Sequence, residues 1–82
     1  MADTITEEQV QSVVFESLET FGADSDAINR EATFESLEID SLDLAELSQI
    51  VEDRFGIELK GSDVAGVRTV GDAIEMILEK AS

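Results

Sequence analysis

The segment DSLDLAELSQIVEDRFG, residues 40–56, has the clearest helical pattern in the chain. Asp40 is a favourable N-cap, and Asp43 puts negative charge in the first turn, where the helix dipole favours it. Gly56 ends the segment because glycine readily adopts the left-handed conformation. At about 100° per residue the main apolar residues fall on one face. The pattern predicts an amphipathic helix whose core face is formed by Leu44, Leu47, Val51 and Phe55.

The opposite face of this helix is acidic without being wholly polar. Charged side chains are usually solvated, so we expect this face to lie outside the core. Leu42 is expected to point outward as an apolar residue, and the alternative is that it packs on the preceding loop. The face consists of Leu42, Ala45, Glu46, Gln49 and Asp53, flanked by Asp43 and Glu52.

Two further long helices are predicted, one on each side of this segment. Residues 6–9 read TEEQ, a capping box, and apolar residues then recur at helical spacing until Gly22, which predicts a helix over residues 7–21. Residues 69–72 read TVGD, a second capping-box pattern, and it predicts a helix over about residues 70–79. The two apolar stripes consist of Val10, Val13, Val14, Leu18 and Phe21, and of Val70, Ala73, Ile74, Ile77 and Leu78.

The segment between the first two helices, residues 22–40, has apolar residues too sparse for a long helix. We expect a long loop with at most one short turn, and a loop of this length in a small domain usually crosses between helices or carries function. Four apolar residues are expected to pin it to the core: Ile28, Phe34, Leu37 and Ile39.

One short helical turn is predicted before the last helix. Ser62 is expected to cap it and Gly66 to end it, with Val64 and Val67 pointing inward. Because no segment alternates as a strand does, the predicted fold class is all-α. It is a small four-helix bundle of three main helices plus one short helix, with a long loop between helices 1 and 2.

Composition excludes several classes of function. The chain has 82 residues, enough for a single domain over residues 1–82, with 20 acidic and 5 basic residues and a net charge of −15. Nucleic acid and anionic membranes would repel such a surface, so the expected partners are basic. The 43% of apolar residues is too high for an acidic disordered tail. Since no targeting segment is visible, we expect a soluble cytoplasmic protein.

The absence of histidine and cysteine restricts the possible chemistry. It removes histidine-based triads, zinc ligation by histidine or thiolate, and disulfides. Paired-carboxylate catalysis needs a cleft that a small bundle hardly provides. Asp24-Ser25-Asp26 begins like a calcium loop, but the spacing breaks and no glycine follows. We therefore expect neither a catalytic residue nor a specific metal site.

Ser41 is the most informative polar residue. It follows the N-cap Asp40 and opens the central helix, where free amides and partial positive charge suit a phosphate group. With no histidine to activate it, Ser41 can only receive a group from another enzyme. The alternative from local sequence alone is a serine that merely supports the cap.

Three segments resemble the acyl carrier proteins. LEIDSLDLAEL, residues 37–47, is similar to the family's carrier signature, centred on Asp-Ser-Leu. Residues 52–59, EDRFGIEL, resemble the exit from its second helix, and residues 67–74, VRTVGDAI, resemble the entry to its last helix. The resemblance implies an up-and-down bundle with a short third helix. It also implies that Ser41 carries a 4′-phosphopantetheine arm, derived from coenzyme A, on which acyl chains travel as thioesters.

The resemblance also implies partners and sites for a single acyl-carrier domain that is not an enzyme. The partners are a phosphopantetheinyl transferase, a ketosynthase, an acyltransferase and other synthase enzymes with basic docking patches, and the carrier is expected to be a monomer. The expected partner-binding residues are Asp40, Leu42, Asp43, Ala45, Glu46, Gln49 and Asp53. An acyl chain is expected in a cavity among Leu47, Val51, Ile57, Leu59, Val67 and Ile74.

The pathway stays open at this point. Fatty-acid synthesis is the first expectation, and type II polyketide or other specialised acyl synthesis is the alternative. Lys60-Gly61 stands where many members have proline, and Ala45 and Gln49 are smaller or more polar than usual on the outer face. Leu44 occupies a position that is often polar in fatty-acid carriers. A different class of function is an acidic interaction module without any covalent arm.

Overall fold

The first helix is built by its predicted caps. In the computed structural model, which describes residues 5–81, the Gln9 amide donates to Thr6 Oγ1 at 3.2 Å and the Thr6 amide to Gln9 Oε1 at 3.1 Å. Helix α1 spans Glu7–Thr20, one residue shorter than predicted, because Phe21 is its C-cap. Gly22 follows with φ +106°, the left-handed stop that the sequence indicated.

Helix α2 spans Ser41–Phe55 and has the expected caps. Asp40 Oδ1 accepts the Asp43 amide at 3.0 Å, and Gly56 adopts φ +71° at the C-terminus. The capping residue relieves one of the unpaired amides of the first turn. The position of Ser41 as the first helical residue is therefore fixed by the side chain that precedes it.

The short helix α3, Gly61–Ala65, begins differently from the prediction. Ser62 is not its cap: Lys60 is the N-cap residue, and the Lys60 amide donates to Asp63 Oδ2 at 3.0 Å. The prediction was wrong because the helix begins one residue before Ser62, and the side chain that fixes its start is Asp63, which accepts the amide of the N-cap residue. Gly66 ends the helix as expected, and Val64 and Val67 are half-buried.

Helix α4 spans Val70–Ala81, two residues beyond the predicted end. Its capping box is present, with the Asp72 amide donating to Thr69 Oγ1 at 3.0 Å and the Thr69 amide to Asp72 Oδ2 at 3.2 Å. The helix supplies a fully buried apolar stripe to the core, including Ile74 and Ile77, neither of which has exposed surface.

Loop 1, residues 21–40, pairs with the connection that leads into α4. The Phe34 amide donates to the Arg68 carbonyl at 3.1 Å, and Thr33 and Thr69 form an isolated antiparallel bridge. The amides of Val70 and Gly71 donate to the carbonyls of Ala32 and Arg30 at 2.9 and 2.8 Å. Loop 1 thereby satisfies amides that the first turn of α4 would otherwise leave free.

Gly71 is required by this contact. A β-carbon at this position would lie 2.9 Å from the Arg30 carbonyl oxygen, closer than real β-carbons approach another atom. The Arg30 side chain adds three contacts, an ion pair with Glu7, a hydrogen bond to Gln11 Oε1 at 3.3 Å and a 3.9 Å approach to Glu75. Arg30 thus joins loop 1 to both α1 and α4.

The core lies between α1, loop 1, α2 and α4. All four loop residues expected to pin loop 1 are buried, while Val13, Leu44 and Phe55 are only half-buried. Within residues 5–81 the chain forms four helices and no strand, so the all-α bundle prediction is confirmed. The buried apolar residues are Val10, Val14, Leu18, Ile28, Phe34, Leu37, Ile39, Leu47, Val51, Ile57, Val70, Ala73, Ile74 and Ile77.

The four helices of residues 5–81 contain between 5 and 15 residues each. None of these helices has both the length and the apolar character that crossing a membrane requires.

Candidate functional site

Ser41 is exposed at the start of α2. The first-turn amides of Asp43 and Leu44 donate to the side chain and the carbonyl of Asp40, both at 3.0 Å. Within residues 5–81, the amides of Ser41 and Leu42 and the Ser41 hydroxyl have no hydrogen-bond partner. A nucleophilic oxygen and two free donors therefore lie together at the positive end of a helix.

A groove of about 440 Å³ begins at Ser41 and runs between α2 and α3. Its wall is mixed: Ser48, Gln49 and Glu52 are polar, whereas Leu44 and Val64 are apolar. A ligand in this groove therefore meets both hydrogen-bonding groups and apolar surface. The lining residues are Ser41, Leu44, Ala45, Ser48, Gln49, Glu52, Leu59, Gly61, Val64 and Ala65.

The predicted outer face of α2 divides into two parts. Leu42 is 78% exposed and does not pack on loop 1. Glu46 and Asp53 are exposed as well, whereas Ala45 and Gln49 are exposed but line the groove. Asp40 is exposed beside this face, and Asp43, at its edge, is half-buried. The exposure of this face agrees with the prediction, and its role in binding partners stays a prediction.

The six residues expected to form an acyl cavity lie mostly inside the packed core. Leu47, Val51, Ile57 and Ile74 are buried, and Val67 is half-buried against them. Leu59 alone of the six lines the groove that starts at Ser41. The opening of a cavity among these residues stays a prediction.

Sequence reasoning missed part of the groove. Ala45, Ser48 and Glu52 follow Ser41 by four, seven and eleven residues, which is the spacing of one helical stripe. That spacing was a usable signal for the α2 wall. The α3 wall had no comparable signal because the position of a five-residue helix depends on tertiary contacts.

The turn before Ser41 has a strained residue. The amides of Glu38 and Ile39 donate to the carbonyls of Glu35 and Phe34 at 3.0 and 2.9 Å, the pattern of a Schellman motif. Glu38 adopts φ +61°, where glycine is the usual residue, and a left-handed conformation costs about 1–2 kcal/mol for a residue with a β-carbon. Ile39 is buried and anchors the chain directly before Asp40.

Two aspartates in the first turns of α3 and α4 have lowered pKa values. The Lys60 amide, followed by the Lys80 ammonium at 3.1 Å, holds the pKa of Asp63 below its usual value. The amides of Thr69 and Arg68 do the same for the pKa of Asp72. Asp63 thus links α3, one wall of the Ser41 groove, to α4.

A metal ion bound by carboxylates needs several of them close together. Residues 5–81 contain no group of three or more acidic side chains placed to hold a metal ion. In the Asp24–Asp26 turn, Asp24 Oδ1 accepts the Asp26 amide at 3.0 Å.

Comparison with known sequences points to one family. The family model described as the phosphopantetheine attachment site matches residues 13–77, which include Ser41. The acyl carrier protein of Chlamydia caviae is 40% identical over 72 residues, which make up 87% of this chain and 90% of that protein.

Solved structures agree with the sequence matches. An acyl carrier protein from Thermotoga maritima has a TM-score of 0.77 at 25% identity, over 96% of this chain and 94% of that one. The 3,7-dioxo-octyl form of the actinorhodin acyl carrier protein from Streptomyces coelicolor has a TM-score of 0.73 at 27% identity, over 99% and 95% of the two chains. The hexanoyl form of that protein gives 0.72 at the same identity and coverage.

Proposed function

The chain belongs to the acyl carrier protein family, and from that premise we propose that Ser41 is its phosphopantetheine attachment residue. Members of this family are carriers and not catalysts, and they work with synthase enzymes and with a phosphopantetheinyl transferase. The observation that supports Ser41 is its exposed, unpartnered hydroxyl at the first residue of α2, within the segment that matches the family model.

The residues around Ser41 fit a phosphopantetheine group. The free amides of Ser41 and Leu42 can donate to a phosphate at the helix N-terminus, where the dipole favours negative charge. Ser48 and Gln49 in the groove suit the polar amides of a pantetheine chain, and Leu59 and Val64 suit its hydrocarbon parts. When attached, the group supplies a terminal thiol that holds an acyl chain as a thioester.

Loading would form a phosphodiester bond at the Ser41 oxygen and break the pyrophosphate bond of coenzyme A, with adenosine 3′,5′-bisphosphate as the leaving group. Very little else of this chain takes part. The sequence has no histidine, so the proton of the hydroxyl must pass to a base on the transferase. The Asp40 carboxylate is occupied with the Asp43 amide and repels a phosphate. We assign Asp40 to capping α2 and to contact with the transferase.

The recognition surface is proposed to be the outer face of α2. Its partners are a ketosynthase, an acyltransferase and other synthases with basic patches, which the net charge of −15 attracts. A partner that takes up the arm must touch protein near the root of the arm, and the outer face begins one residue after Ser41. We propose that residues 1–82 act as one carrier domain, as a monomer in the cytoplasm. The face comprises Asp40, Leu42, Asp43, Ala45, Glu46, Gln49 and Asp53.

We propose fatty-acid synthesis as the pathway, and one observation favours polyketide synthesis as the second candidate. Gln49 and Ser48 make the groove partly polar, which suits an oxygenated chain better than a saturated one. The structural neighbour that bears a 3,7-dioxo-octyl chain is the actinorhodin carrier, which comes from a polyketide synthase. The amide NMR signal of the Gln49 side chain separates the two when each acylated form is compared with the form that carries the arm alone. A further shift with a diketo chain and none with a saturated chain favours the polyketide pathway.

Intact mass after loading tests the attachment residue. The chain is incubated with coenzyme A, Mg²⁺ and a phosphopantetheinyl transferase, and one phosphopantetheine mass is expected to be added. Ser41→Ala should add none and keep its helicity, because Asp40 still caps α2. Ser48→Ala is the matched control, since Ser48 lines the same groove, and it should load normally. A mass gain in Ser41→Ala contradicts the assignment.

A further inference from the structure

A second pocket lies where the end of α1 meets the turn that leads to Ser41. Its volume is about 320 Å³. Asp24 and Glu38 place carboxylates on it, and most of the remaining wall is formed by small or apolar residues. The lining residues are Phe21, Gly22, Ala23, Asp24, Ala27, Ser36, Leu37 and Glu38.

Folding does not explain the presence of Glu38 at this pocket. Its left-handed backbone, φ +61°, favours glycine or asparagine. Its negative charge is part of the chain's net charge of −15 and increases the like-charge repulsion within it. Within residues 5–81, its carboxylate makes no hydrogen bond or ion pair. Glu38 thus destabilises the chain in two ways without contributing a polar contact of its side chain.

Strained backbone and side chains that do not favour folding concentrate at functional sites. Glu38 has both properties, which indicates that it contacts another molecule. Glu38 lies three residues before Ser41, on an exposed turn. The enzyme that modifies the serine hydroxyl must cover the residues on both sides of it. A synthase that takes up the arm needs to touch protein on only one side of Ser41, where the outer face of α2 begins.

We propose that Glu38 and the pocket beside it bind a lysine or arginine side chain of the transferase that loads Ser41. The inference rests on the proposed function of Ser41. The aliphatic part of the basic side chain would lie on Phe21, Ala27 and Leu37, and its cationic end would meet Glu38. Asp24 offers a second carboxylate, although its Oδ1 already accepts the Asp26 amide at 3.0 Å.

Two substitutions separate recognition from stability. Glu38→Gln keeps the size of the side chain and removes its charge, and it should raise the KM for the unloaded chain about fivefold with kcat unchanged. Glu38→Gly should raise KM similarly while it increases the melting temperature by about 4 °C or more, because the strain is relieved. The assay uses a purified phosphopantetheinyl transferase, coenzyme A and Mg²⁺.

Glu31→Gln is the matched control, since Glu31 is an exposed acid of loop 1 outside the pocket. Its KM should stay at the wild-type value. Equal KM values for wild type and Glu38→Gln, or an equal rise in Glu31→Gln, would overturn the proposal. It is also overturned if Glu38→Gly melts at a lower temperature than wild type. The same holds if Glu38→Gln raises the KM only of a ketosynthase for the loaded chain and not that of the transferase.

Failure of the pocket inference can be distinguished from failure of the proposed function of Ser41. If wild type is loaded at Ser41 and Glu38→Gln is loaded equally well, only the pocket inference falls. If wild type gains no mass, or Ser41→Ala gains mass, the attachment residue is wrong and the inference falls with it.

Discussion

The region formed by α1, loop 1 and α4 differs from the region formed by α2 and α3 around Ser41. In the first, three backbone hydrogen bonds join loop 1 to α4 and its entry, and Arg30 reaches both helices. Ile74 and Ile77 in α4 are completely buried. In the second, no residue of α3 is buried, a groove separates it from α2, and Leu42 is 78% exposed.

This difference shows how a small chain separates folding from function. A core of this size leaves little stability to spare, so the region that holds the chain together must be closely packed. The region that meets other molecules must instead keep a hydroxyl, two amides and an acidic face free. Because stability and contact with other molecules depend on different regions, the groove between α2 and α3 can stay accessible without unfolding the bundle.

The largest expected effect comes from shortening one apolar side chain in each region. Ile74→Ala removes a fully buried side chain of α4 and should lower the free energy of unfolding by about 2–5 kcal/mol. Val64→Ala shortens a half-buried side chain of α3 and should lower the free energy of unfolding by less than about 1 kcal/mol. Urea unfolding followed by circular dichroism measures both. Comparable losses would mean that α3 contributes to the core as much as α4 does.

Glycine substitutions give the next largest difference. Gly71→Ala places a β-carbon 2.9 Å from the Arg30 carbonyl oxygen and should cost about 1–3 kcal/mol of unfolding free energy. Gly61→Ala meets no atom within 4 Å and should be neutral or stabilising by up to about 1 kcal/mol. The same unfolding assay applies, and a destabilised Gly61→Ala variant would show that α3 is more tightly constrained than the geometry indicates.

The pH dependence distinguishes the two capping aspartates. Their pKa values are lower in the folded chain than the usual 3.8, so each stabilises the fold fully above that value and loses the effect as pH falls through its folded pKa. At pH 7, Asp72→Asn should melt below wild type, and below Asp63→Asn, since Asp72 caps the buried helix. Both differences should shrink as the pH falls below 3.8. A pH-independent difference would contradict the capping roles.

The smallest effect concerns docking. Glu46→Lys, on the exposed face of α2, should weaken binding to a ketosynthase about fivefold and make it less sensitive to salt, with little change in melting temperature. Glu31→Lys makes the same charge change on loop 1 and should have much less effect. Equal losses in both variants, measured by titration at two salt concentrations, would mean that net charge and not this face governs recognition.

The sequence was most informative where structure is local. The caps at Thr6, Asp40 and Thr69 and the stop at Gly22 depend on neighbouring residues, and all four were predicted from spacing. The cap of α3 was mispredicted because Asp63 rather than Ser62 provides the capping oxygen. Helix ends in general shift by a residue or two with tertiary contacts.

Contacts between distant segments were not predictable in this way. The approach of loop 1 to Gly71 has no periodic signature, since it joins residues about forty positions apart. Ser41 at the helix start could be predicted from its position after Asp40, whereas half of the groove could not be predicted from the sequence. Its α3 wall, including Gly61 and Val64, exists only once the chain has folded.

The amide NMR spectrum of the chain before and after a transferase loads it tests both the attachment residue and the separation of the two regions. We expect the largest shifts at Ser41, at Leu42 and along the α2–α3 groove, including Val64. The amides of Val70 and Gly71, which bond to loop 1, should hardly change. An absence of shifts around Ser41 would contradict the attachment residue. Large shifts at Val70 and Gly71 would contradict the separation of the two regions.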